Sequence, residues 1–86
     1  MTNHPNRSAA PIRFIAYSTA SMNALAQGET AEEALDRAIT EYQINTEFLI
    51  IAKLRTRAAL HELDVLPRSA EIVWRGLNDL AQRFRA

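Results

Sequence analysis

Apolar and polar positions along the chain repeat with the spacing of helices in most segments. From Ile12 to Gln27, the residues Ile15, Met22, Leu25 and Ala26 fall on one helical face. Pro11 suits the first turn of such a helix, and Gly28 suits its end. The alternation of Ile12, Phe14 and Ala16 offers a strand over Ile12 to Tyr17 as the competing reading; helix is the expectation. The segment Gly28-Glu29-Thr30-Ala31-Glu32-Glu33 gives the clearest boundary. Thr30 can accept from the N–H of Glu33 while Glu33 reaches back, which is a capping box and predicts a helix starting at Ala31. Glu32, Glu33 and Asp36 suit the positive end of its dipole.

No Gly or Pro interrupts the chain from Ala31 to Leu66, so one long helix is open to it. The apolar stripe changes side partway. Leu35, Ile39, Tyr42 and Leu49 share one face, and Ile44, Phe48, Ile51, Ala58 and Val65 lie roughly opposite. Either the helix breaks near Asn45-Thr46, with Thr46 capping a second helix, or one helix serves two partners. Pro67 ends the element. Ser69 can cap a last helix over Ala70 to Phe84, with Ile72, Val73, Leu77, Leu80, Ala81 and Phe84 as its buried stripe. Gly76 inside it suggests a close helix–helix approach, and Glu71–Arg75 and Asp79–Arg83 are spaced as i,i+4 pairs on its solvated side.

Composition agrees with helix. The chain has 86 residues, with many Ala and Leu, two Gly and no cysteine. The expected fold class is therefore all-α: a small three- or four-helix bundle with a long central helical segment, dimeric or higher. Residues 1 to 10 are expected to be a flexible tail and residues 11 to 86 a single helical domain. Ile44, Phe48, Leu49, Ile50, Ile51 and Leu54 cover most of a helix circumference and call for burial on several sides. A second copy is the economical cover, so Ile44, Phe48, Ile51 and Leu54 are the expected self-interface of a homo-oligomer. The longest apolar run, Phe48 to Ala52, is far short of a membrane span, and no targeting signal is visible, so a cytoplasmic protein is expected.

The chemistry on offer is sparse. Without cysteine there is neither a disulfide framework nor a thiol nucleophile. His61 and Asp64 could share a helical face, but no third metal ligand is evident; Ser8, Ser18, Ser21 and Ser69 lack a His–Asp partner pattern. Glu29, Glu32, Glu33 and Asp36 lack the spacing of a calcium loop and read as dipole-matching charge. No catalysis, metal or cofactor is expected. Net charge is zero, which argues against life on bulk phosphate attraction. The charge is uneven, however: acidic over Glu29 to Glu47 and basic over Lys53 to Arg85, which favours self-association or a charged partner.

Two stretches resemble known families. The stretch over residues 58 to 80, with ALHELDVLPRSAEIVWRGLNDL at 59 to 80, resembles the helix-turn-helix of bacterial transcription regulators. That resemblance implies a recognition helix with Ile72, Val73 and Leu77 buried and Arg68, Ser69 and Arg75 facing DNA. It departs from the pattern in a turn lengthened by Leu66-Pro67, and in Asp64 where a Gly is usual. QGETAEEALDRAI is similar to the strand-to-helix corner of HicB-type antitoxins, which implies strands before Gly28. The leading expectation is a non-catalytic regulator, adaptor or inhibitor working through protein contacts, with Trp74 and Arg75 as anchors for its partner. A DNA-binding regulator is the alternative.

Overall fold

The computed structural model describes residues 10–77, and it overturns the all-α bundle. Four antiparallel strands form one sheet: β1 (Ile12–Ser18), β2 (Ala24–Gly28), β3 (Leu49–Arg55) and β4 (Glu71–Arg75), in the order β2-β1-β3-β4. A single α-helix of the described residues, α1 (Ala31–Tyr42), joins β2 to β3. Both neighbours of β1 run antiparallel to it, so β2 and β3 are parallel to each other and β2-α1-β3 is a β-α-β unit split by β1. Short 3₁₀ turns stand at Thr46–Phe48 and Leu60–Leu63.

Where a helix was expected from Ile12 to Gln27, the chain forms the β1–β2 hairpin. The alternation prevails because both faces of β1 find cover: Ile15 and Tyr17 point to one side, Phe14 and Ala16 to the other, and Ile15, Ala16 and Tyr17 are fully buried. The turn is closed by hydrogen bonds from Met22 N–H to the Ser18 carbonyl (2.6 Å) and from Ser18 N–H to the Asn23 carbonyl (3.0 Å). Met22 takes a left-handed φ of 62° there. The strands before Gly28 that the HicB-type resemblance implies are thus present.

The helix at Ala31 forms as expected, with the Thr30 half of the capping box in place, while Glu33 reaches back past Thr30 to Glu29. Thr30 Oγ1 accepts from Glu33 N–H at 3.1 Å, and Glu33 Oε1 accepts from the backbone of Glu29 at 2.6 Å. It stops at Tyr42 and does not run on towards Leu66. Gln43 turns left-handed at φ 53° and donates its N–H to the Ile39 carbonyl, closing the helix without a glycine. Thr46 caps nothing; it lies inside a 3₁₀ turn whose preceding residue, Asn45, makes no side-chain cap.

The all-round apolar segment is β3, the central strand beside β1. Leu49 and Ile51 pack towards α1, while Ile50, Ala52 and Leu54 pack on the opposite side. A strand covered on both faces reads as a continuous apolar run, just as a helix buried on all sides does. Its apolar surface is therefore hidden within one chain, and the case for a second copy no longer rests on it.

Two unlike layers cover the sheet. On one face Ala34 and Ala38 of α1 lie fully buried over Ala16 and Ala26, their small side chains letting the helix come close. Gly28 belongs to the same fit: a Cβ there would stand 2.8 Å from the Ala34 nitrogen. On the other face residues 56–70 form an irregular strap, with Leu60, Leu63, Leu66 and Ala70 packed on Ile15, Tyr17, Ile50 and Leu54. Two β1 side chains tie it down. Tyr17 donates its hydroxyl to the Leu63 carbonyl at 2.6 Å, and the Arg13 guanidinium bonds the Ala58 carbonyl.

The last expected helix is replaced, over Glu71 to Arg75, by β4. Ile72, Val73 and Trp74 are β-branched or aromatic, and Ile72 and Trp74 complete opposite cores. Helical backbone begins only at Gly76 and Leu77. Residues 1–9 of the expected tail and residues 78–84 of the expected last helix lie outside the described residues, together with His4, Ser8, Leu80, Ala81, Phe84 and the Asp79–Arg83 pair. No helix of the described residues is long and apolar enough to cross a membrane.

Candidate interaction groove

Helix α1 packs over β2, β1 and part of β3, so among the described residues no helix lies above the β4 side of that face. The result is a groove of about 500 Å³ between α1 and β4, lined by Phe14, Ala31, Glu32, Leu35, Ile51, Val73 and Trp74. Its floor depends on an irregularity in the ladder. Ile51 pairs with Trp74 and Ala52 with Ile72, so Val73 is an extra residue on the β4 side. A bulge of this kind re-aims side chains. Here Ile72 joins the strap-side core, while Val73 and Trp74 both line the groove. Trp74, the only tryptophan of the chain, is half-buried, and Val73 is 39% exposed on an edge strand.

Electrostatically the groove has one titratable lining group, Glu32, with exposed Asp36 one turn further along α1. This edge of the helix is acidic and unpartnered by basic lining residues. A second hollow of about 220 Å³, lined by Arg13, Gln27, Gly28, Glu29, Glu33 and Arg37, is of the opposite kind. Most of its polar groups serve one another, although the buried Arg13 Nε has no hydrogen-bond partner among the described residues. Arg13 donates to Gln27 Oε1 at 2.6 Å, and Arg37 donates to the Gln27 carbonyl at 2.8 Å and pairs with Glu33 at 3.1 Å. Glu33 is thereby committed to the cap and to Arg37, and the acidic group at Glu29, Glu32, Glu33 and Asp36 does not gather around a cation. Among the described residues, no three His, Asp or Glu stand close enough to hold a metal ion.

The expected self-interface does not form one surface. Ile51 and Leu54 are buried on opposite faces of β3, Ile44 is half-buried beneath the α1 side, and Phe48 alone of the four is exposed, at 41%. The expected partner anchors separate too: Trp74 lines the groove, whereas Arg75 projects by Leu49, Ile50 and Leu77 at the end of the sheet. The helix-turn-helix geometry is absent. Residues 71–75 are strand, Arg68 and Ser69 lie in the turn before it, and Leu60–Leu63 is a single 3₁₀ turn. Arg68, Ser69 and Arg75 therefore do not share a recognition helix. The Glu71–Arg75 pair is likewise lost, since a strand extends five residues where a helix would bring them together; Glu71 faces Lys53 instead.

Phe14, Leu35 and Val73 are groove residues that a helical reading misses. The signal for them was the strand alternation at Ile12, Phe14 and Ala16, together with the β-branched pair Ile72-Val73. Scans of protein-family models, curated proteins and solved structures return no match to this chain.

Proposed function

We propose that this chain is a non-catalytic protein-interaction module whose docking surface is the groove between α1 and β4. The observation that carries the reading is the half-open apolar lining, centred on the sole tryptophan beside a bulged edge strand. Tryptophan in a partly desolvated pocket is the side chain most often found at the energetic centre of protein interfaces. The lining side chains offer one carboxylate and the Trp74 indole N–H and are otherwise apolar, so they supply shape and apolar contact, and specificity comes from the acidic edge at Glu32 and Asp36. This keeps Trp74 as an anchor and moves the rest of the surface from Arg75 to Phe14, Leu35 and Val73.

The test is a photoreactive side chain placed at Val73 and activated in living cells, with adducts identified by mass spectrometry. A defined protein adduct, absent when the same group stands at Arg68 on the far turn, supports the reading. Equal adduct patterns from the two positions sink it.

A further inference from the structure

Resting on the reading of the groove as a protein-docking surface, we infer that its occupant is the C-terminal segment of a second copy of this chain. The segment is Asn78 to Ala86, which lies outside the described residues and is argued here from its sequence. From Leu77 the apolar residues Leu80, Ala81 and Phe84 follow at i+3, i+4 and i+7, the spacing of one helical face. Nine residues at about 1.5 Å each would span about 14 Å as helix, which is enough to lie along the groove beside the first turns of α1. A helix there would cover the open β4 side of the face, at Val73 and Trp74.

Charge points the same way. Arg83 and Arg85 flank Phe84, and the edge of the groove carries Glu32 and Asp36. A basic segment set beside an acidic helix edge in a chain of zero net charge is self-complementary.

The position of Leu77 favours a second copy over the same chain. Leu77 stands at the end of the sheet, beside Thr19, Glu47, Leu49, Ile50 and Arg75, and is 63% exposed. It shares none of the residues that line the groove. A stripe whose first residue is Leu77 therefore starts outside the groove of its own chain. Two chains that each lend this segment to the other make a closed, symmetric dimer.

The chain lacks cysteine, so single cysteines report proximity cleanly. Full-length Val73→Cys and Phe84→Cys proteins are mixed and oxidised. The expected result is a disulfide-linked heterodimer that forms roughly tenfold faster or more than dimers of either protein alone. A mixture no faster than its components overturns the inference, as does a Val73→Cys/Phe84→Cys double variant that closes on itself as a monomer. Sedimentation equilibrium of cysteine-free protein gives the independent check. Phe84→Ser should raise the dimer dissociation constant roughly tenfold or more, by removing the apolar side chain that the partner would bury. Glu32→Arg should weaken the dimer, and Glu32→Arg/Arg83→Glu should restore it; a monomeric wild-type chain contradicts the proposal. If the crosslinker at Val73 captures a different protein while the chain sediments as a monomer, the docking surface stands and this occupant is wrong.

Discussion

Gly76 is needed for room. Neither glycine of the described residues has a positive φ, but a Cβ on Gly76 would fall 1.7 Å from the Thr46 carbonyl oxygen. The neighbour is backbone, so a side chain at this position must push β4 away from the turn that starts β3. Gly76→Ala should cost about 1–3 kcal/mol and be read as a lower denaturation midpoint. Gln43 shows the converse, a side chain in a left-handed conformation that glycine adopts without strain. Gln43→Gly should leave the midpoint unchanged or raise it, with a gain of up to about 1 kcal/mol. Tyr17 is fixed by its hydroxyl. Tyr17→Phe leaves the buried Leu63 carbonyl unpaired and should cost about 1–2 kcal/mol. Burial, and then the charge of Asp64, raise the Tyr17 pKa above its ordinary 10.0. The unfolded chain then loses this proton first, so stability should hold below about pH 10 and fall as pH rises through the higher folded pKa. Midpoints measured across that range should show a shallower fall in Tyr17→Phe.

At the scale of elements, what the sequence made legible was local chemistry. Thr30 and Glu33 announced α1 because the N-cap bond from Glu33 N–H to Thr30 Oγ1 is made within four residues. Thr30→Ala should cost about 1 kcal/mol and loosen the first turn, seen as faster amide exchange at Ala31 to Ala34. The sheet was misread for reasons that lie between elements. Leu49 to Ala52 are apolar without alternation because β1 and β4 flank the strand while α1 and the strap cover its two faces, and nothing within the segment separates that case from a buried helix. The Ala-rich hairpin reads as helix by propensity. Its alanines serve instead to let α1 settle close on β1 and β2. The sequence singled out Trp74; the groove beside it was not legible, since it depends on a bulge whose register is set by pairing with β3. Exchange should be slowest in the central strands β1 and β3 and faster in the edge strands β2 and β4. Uniform protection across the four strands would contradict this order.

Taken together, the described residues form a sheet with a tightly packed helix on one face and a stapled strap on the other, and among them the side over β4 has the least cover. The sheet's central pairing joins β1 to β3 across the hairpin and helix between them. That is a non-local contact, so folding should be slower than in a helical protein of this length. The extra residue in β4 has a consequence for colloidal behaviour. An exposed edge bearing Ile, Val and Trp would ordinarily invite another strand, then another, in an open-ended stack. Val73 breaks the even spacing of amides and carbonyls that such a stack must match, while Glu71 and Arg75 charge its two ends. The edge can thus keep a sticky face without seeding fibres. Deleting Val73 should straighten it, and the deletion protein should become turbid and bind an amyloid dye at concentrations where the parent chain stays clear.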